Sequence, residues 1–247
     1  MGPAKRFNKL LLSAFALLAL LPAMAFAGSN IVRPIEKTFD LDGISRIVVY
    51  TQGGFINVTG ETRSNGRVTI EQVFRNASNS EADYLEARIE KTMEKRGNAL
   101  HIEFKINQSR RLWSFFSGKP SVQFNATIET PKEIDVELHT SGGPIEVATL
   151  NGHVQANTSG GRMKFRDIEG SIKWHTSRGP IEAQNINGDV NLSTSVGLIS
   201  VSSITGQTKL STSGGGMHAH HMQCPVNGGG PILELKTSGR GIAIKYL

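Results

Sequence analysis

Cysteine is nearly missing from this chain. Cys224 stands alone among 247 residues, which excludes an internal disulfide and leaves packing and backbone hydrogen bonds to hold the fold. Aromatic residues are also scarce, at 6% against 27 glycines, and that balance argues against a helical bundle. Beyond the N-terminal leader, no apolar run reaches the ~20 residues that a membrane-spanning helix needs, so no permanent span is expected. A concentrated basic stripe is lacking too. Arg110-Arg111 and the group Lys91, Lys95 and Arg96 are broken up by other residue types, which argues against a nucleic-acid partner.

What is present begins with an address label. Lys5, Arg6 and Lys9 precede an apolar run from Leu10 to Leu21, Pro22 ends it, and Ala25-Phe26-Ala27 supplies a small-x-small cleavage site. Residues 1–27 therefore read as a signal peptide, with a mature chain from Gly28 that is exported to the periplasm, the cell surface or the medium. No cysteine follows the cleavage site, so an N-terminal lipid anchor is not expected. Losing three basic residues brings the net charge of +6 down to about +3, an ordinary balance for a soluble domain.

From Thr140 the chain can be written in lines of 18 residues that align without gaps. Thr140, Thr158, Thr176, Thr194 and Thr212 open the lines, each followed by serine. The fourth column is Gly143, Gly161, Gly179, Gly197 and Gly215; the thirteenth is Gly152, Gly170, Gly188 and Gly206 until Cys224 interrupts it. Between these glycine corners apolar residues alternate, as in Ile145/Val147, Met163/Phe165, Ile181/Ala183 and Ile199/Val201, and again in Val154/Ala156, Ile172/Trp174 and Val190/Leu192. Alternation of period two marks half-buried strands. One such coil cannot bury its apolar columns, but a stack can, with residue i lying about 4.8 Å from residue i+18. The fold class expected is all-β: a parallel β-solenoid, or β-helix, with 18-residue coils and two facing parallel sheets. Residues 140–247 would form the regular coils and C-terminal cap. In the cap, Thr237 to Ile244 repeats the opening half after a seven-residue slip.

Residues 28–139 are less regular. Thr51 to Val58 resembles the opening half of a coil, and alternation marks strands at 47–50, 68–73, 100–104 and 122–127. Ser80 to Arg96 reads as one amphipathic helix, with Tyr84-Leu85, Ile89 and Met93 at helical spacing and Ser80 as its cap. This half is expected to supply the first coils and the N-terminal cap of one domain. The alternative is a small α+β domain joined near Pro131.

The leader, the Thr51 to Val58 strand, the mid-chain helix, the strand ending at Thr130-Pro131 and the Thr-Ser-Gly-Gly-x-Ile-x-Val lines together resemble the bacterial putative-adhesin family of exported β-solenoid envelope proteins. The resemblance implies a β-solenoid envelope protein and brings no catalytic motif with it.

His218, His220 and Cys224 are the sharpest chemical cluster. The column parity puts His218 and His220 on one outer face about 7 Å apart, close enough to share a soft metal with Cys224, although the spacing matches no zinc signature. No cofactor is expected, since calcium-binding rolls of this period need an aspartate in each corner. Glu146 and Glu182 share an outward column about 10 Å apart with Lys164 between them, which reads as a charge-balanced ladder more simply than as a glycosidase pair. Trp113, Phe115 and Phe116 form either a partner-contact loop or a plug for the scaffold. The function expected is non-catalytic: an adhesin-like binding or structural scaffold whose partner is an envelope protein, a glycan or another copy of the chain. The alternatives are a carbohydrate-active enzyme on the same scaffold and a periplasmic metal-binding protein.

Overall fold

A computed structural model describes residues 30–107, 120–223, 233–239 and 241–245. Its leading strands are β1 (Ile31–Asp40), β2 (Arg46–Thr51), β3 (Ile56–Glu61) and β4 (Asn65–Arg75), followed by α1 (Asn79–Glu86). Next come β5 (Ile89–Arg96), β6 (Ala99–Ile106), β7 (Ser121–Pro131) and β8 (Asp135–Thr140). The repeated lines form β9 (Ile145–Asn151), β10 (Val154–Thr158), β11 (Met163–Glu169), β12 (Ile172–Arg178) and β13 (Ile181–Asn187). They continue as β14 (Val190–Val196), β15 (Ile199–Thr205), β16 (Thr208–Thr212), β17 (Met217–Gln223), β18 (Leu233–Thr237) and β19 (Ile242–Lys245).

The strands form two sheets, neither of which closes on itself, and from β7 onward successive strands alternate between them. One sheet runs β1-β4-β7-β3-β9-β11-β13-β15-β17-β19 and the other β18-β16-β14-β12-β10-β8-β2-β6-β5. From β8 to β17 every same-sheet neighbour is parallel and eighteen positions away, as in Ile145↔Met163, Met163↔Ile181 and Ile181↔Ile199. After β17 the offset becomes twenty-five, with Thr212↔Thr237 and Met217↔Ile242, so the seven extra residues leave the register of the last two strands intact.

Burial follows the alternation. Ile145, Met163, Ile181 and Ile199 are buried in one file, and Ala156, Trp174, Leu192 and Leu210 are buried in a file of the other sheet. Phe165 meets Trp174 edge-on with ring centroids 3.8 Å apart. The core is continuous from Phe39 to Ala219.

The corners explain the glycine columns. A Cβ on Gly188 would lie 2.2 Å from the carbonyl oxygen of Gly170, and one on Gly170 would lie 2.2 Å from that of Gly152, so each glycine leaves room for the next. Both residues also have φ near +150, which side chains disfavour. The threonine file satisfies corner carbonyls. Thr158 Oγ1 donates to Gly143 O at 3.3 Å, Thr212 Oγ1 to Gly197 O at 3.2 Å, and Thr237 Oγ1 to Gly215 O at 3.0 Å.

The N-terminal edge departs from the parallel scheme. β2 and β3 join it, pairing with β8 and β9, but β1-β4, β4-β7 and β5-β6 are antiparallel. The helix is also shorter than its pattern suggested. It covers Asn79–Glu86, with Ser78 rather than Ser80 as N-cap in a capping box with Glu81. Ile89 and Met93 lie on β5, because a separation of four suits one face of a strand as well as one face of a helix. The two-residue loop Gly97-Asn98, with Gly97 at φ +60, then turns the chain into a hairpin. Among the described residues no helix is long and apolar enough to cross a membrane.

Candidate binding surface

Parallel in-register pairing lines up outward side chains as it lines up the core. On the ten-stranded sheet one outer file is Glu146, Lys164, Glu182, Ser200 and His218, and its neighbour continues Arg166, Gln184, Ser202 and His220. Lys164 lies in register between Glu146 and Glu182. Arg166 Nη2 contacts Glu146 Oε1 at 2.9 Å, and Arg162 Nη1 lies 4.0 Å from Glu182 Oε1. Each carboxylate is thus matched by a cation on a solvated face, where such pairs contribute little to stability.

The nine-stranded sheet carries the more specific cluster. β2 pairs with β8 so that Tyr50 lies against His139, and the two rings stack with centroids 4.4 Å apart and planes within 2°. Glu137, two residues before His139 on the same face, binds both rings. Its Oε1 accepts from the Tyr50 hydroxyl at 3.4 Å and lies 2.9 Å from His139 Nε2. Burial pushes the Tyr50 phenol above its ordinary pKa, with the charge of Glu137 adding to the shift. Tyr50 nevertheless remains 41% exposed. The file continues through Asn157 and His175, and His175 Nδ1 lies 3.0 Å from Ser193 Oγ. Tyr50, His139, Ser141, Asn157, Ser159 and His175 line a shallow depression. Chemically this is an aromatic edge set among hydrogen-bonding side chains, suited to hydroxyl-rich ligands.

A third feature lies at a bend inside the ten-stranded sheet. Thr149, Asp167, Asn185, Ser203 and His221, spaced by eighteen, all have φ between 50 and 60. The ladder skips this column, as where Phe165↔Ala183 and Ile168↔Ile186 pair but Asp167 and Asn185 do not. Asn185 Nδ2 donates to Asp167 Oδ1 at 2.9 Å along the column.

Sequence patterning did not single out the Tyr50 cluster or this left-handed column. The first was available from aligning Thr51-Gln52-Gly53-Gly54 with Thr140-Ser141-Gly142-Gly143, which places Tyr50 beside His139. The second is masked because Thr149 and Ser203 are not residue types that favour left-handed backbone, so the column carries no uniform residue signal.

Of the residues that were singled out, His218 and His220 project from β17 on the same face, with ring centroids 6.4 Å apart. Cys224, like Trp113, Phe115, Phe116 and the leader, lies outside the described residues. Among the described residues no three His, Cys, Asp or Glu side chains gather so as to hold a metal ion.

The molecule defined so far is an all-β protein with long, parallel-rich sheets and ordered polar files on its outer faces. No family model matches the chain, and no curated protein matches it. Among solved structures it is similar to a putative adhesin from Bacteroides fragilis NCTC 9343, at 20% identity over 87% of this chain and 97% of that one, with a TM-score of 0.47. It is similar as well to a putative cell adhesion protein from Clostridium sporogenes ATCC 15579, at 11% identity over 88% and 100% of the two chains, with a TM-score of 0.43. A putative lipid binding protein from Parabacteroides distasonis ATCC 8503 matches at 16% identity over 88% and 98%, with a TM-score of 0.33.

Proposed function

We propose that this is an exported, non-catalytic envelope protein whose mature chain is a parallel β-solenoid of 18-residue coils, and that it binds a glycan of the cell envelope through the outer face of its nine-stranded sheet. The observation that carries the reading is the Tyr50–His139–Glu137 cluster. An exposed aromatic stack held rigid by a carboxylate, with Asn157, His175 and serine hydroxyls alongside, offers a flat apolar edge together with fixed hydrogen-bonding groups. Both are what a sugar ring presents in return, and rigidity lowers the ordering cost of binding. The charge-matched Glu146, Lys164 and Glu182 file favours a binding role for the other face over hydrolysis.

The test is binding of the chain from Gly28 to immobilised peptidoglycan fragments and envelope polysaccharides, with and without a Tyr50→Ala/His139→Ala double substitution. The expected outcome is wild-type retention, a loss of about tenfold or more in the variant, and no release of shortened sugars by either protein. Sugar release would replace the reading with the enzyme alternative. Equal retention of both proteins would remove the Tyr50 cluster from it.

A further inference from the structure

The two ends of the sheets are finished differently. At the N-terminal end, β1 carries Pro34, Glu36 and Lys37 on its exposed positions, and β5 presents Glu90, Lys91, Lys95 and Arg96. Proline and charge are devices that keep a free edge from pairing. At the other end, among the described residues, the edge strands are β18 and β19. Ile242 and Ile244, which continue the buried files of Met217 and Ala219, are 42% and 40% exposed. Leu235 continues the file of Trp174, Leu192 and Leu210 and is only partly covered.

We infer that this C-terminal end is a self-association surface, joining two copies of the chain tail to tail about a two-fold axis normal to the sheets. The argument is self-complementarity. A two-fold in that direction reverses the strands, so β18 of one copy meets β18 of the other antiparallel, and β19 likewise meets β19. Centred on Leu235, this pairing sets Glu234, which within its own copy pairs with Lys209 and Lys236, opposite Lys236 of the second copy, and Lys236 opposite its Glu234. Opposite charges directly across an antiparallel pair are favourable and like charges unfavourable. The same axis serves the other sheet. The files that end in Leu235 and Ile244 face each other across the core, as shown where Trp174 meets Phe165, and Phe165 heads the file that runs through Ala183, Val201 and Ala219 to Ile244. Leu235 and Ile244 would then both lie on the two-fold, each against its own counterpart, as an isologous contact requires. Both ladders gain backbone hydrogen bonds, and the apolar files gain a partner layer. The end face of two short strands is small against the ~800 Å² per partner of a standard interface, so the association is micromolar. This inference does not depend on the glycan reading.

The experiment is sedimentation equilibrium of the chain from Gly28, alone, with Lys209→Gln, and with Glu234→Lys, Lys236→Glu and the double exchange each made together with Lys209→Gln. Position 234 then meets no charge from Lys209 in its own copy. Each protein is checked for native circular dichroism. The expected result is a reversible wild-type dimer, weakened about tenfold or more by either single exchange. Combining the two exchanges restores it, because each position then again faces the opposite charge across the two-fold. In the wild type, amides of β18 and β19 would also gain exchange protection as concentration rises. A wild type that remains monomeric at about 100 μM, single variants that dimerise as tightly as wild type, or a double exchange that stays as weak as the singles would each overturn the proposal.

Discussion

The stack from β8 to β17 and the N-terminal edge built from β1, β4, β5 and β7 solve the same problem in opposite ways. In the stack every strand is parallel to its neighbours and every residue meets its own column, so one eighteen-residue solution is reused. At the edge the strands turn antiparallel, and each contact is made once, between residues that belong to no repeating column. Stability in the stack therefore rests on shape that must be the same in each eighteen-residue repeat. At the edge it rests on local pairings that can be changed one at a time. The ion-pair group of Arg33, Asp83, Glu86 and Lys91 is of the second kind, holding α1 to β1 and β5.

The largest effect expected from this contrast is at the glycines. Gly188→Val places a branched side chain where a Cβ already falls 2.2 Å from the Gly170 carbonyl oxygen, which is backbone and cannot swing away. The cost should reach about 3 kcal/mol or more, because the neighbouring repeats must separate. Gly97→Ala in the β5–β6 loop meets no atom within 4 Å and carries only the penalty of its φ of +60, about 1 kcal/mol. Urea unfolding of the two variants measures the gap. Equal costs would mean that the stack tolerates separation of its repeats as easily as a surface loop tolerates strain.

The left-handed column gives the next effect and reverses its sign. Thr149 is β-branched yet held at φ +60, whereas Asn185 occupies the equivalent place at φ +55 with a residue suited to it. Thr149→Asn should raise stability by up to about 1 kcal/mol, and Asn185→Thr should lower it by a similar amount, with the lost bond to Asp167 adding to the cost. If neither variant moves the urea midpoint, the bend does not require the left-handed conformation in solution.

The stack was legible because its physics is repetitive: a corner that must be glycine, a hydroxyl that must reach a carbonyl, and an inward position that must be apolar each recur at the same column. The Thr140-to-Thr212 file and the paired glycine files could be read directly, and so could the seven-residue slip before β18. Antiparallel partners at the edge leave no such mark, since nothing in β1 repeats in β4. The segment Ile89 to Arg96 was misread because an apolar pair four apart satisfies helix and strand alike, and the deciding feature, the Gly97-Asn98 hairpin, lies after it. The Tyr50 cluster was legible only in part. Its two rings come from strands far apart in the chain, and only the register of β2 on β8 brings them together.

The smallest effect is electrostatic and belongs to the edge alone. Lys91 Nζ at 2.9 Å, and then Arg33, hydrogen-bond the Glu86 carboxylate and hold its pKa down from 4.5 to about 2. A carboxylate whose pKa is lower in the folded state stabilises the fold above its unfolded pKa. That contribution fades as pH falls from about 4.5 to about 2. The Glu86 side chain is still 29% exposed, so solvent screening limits the contribution to less than about 1 kcal/mol. Comparing wild type with Glu86→Gln by urea unfolding should show a small deficit for the variant at pH 7 that closes as pH approaches 2. Hydrogen exchange should place that deficit in α1, β1 and β5, with the amides of β11 to β15 unaffected. A deficit that persists at pH 2, or one shared by the parallel stack, would show that the edge and the stack are not separable in the way their pairing suggests.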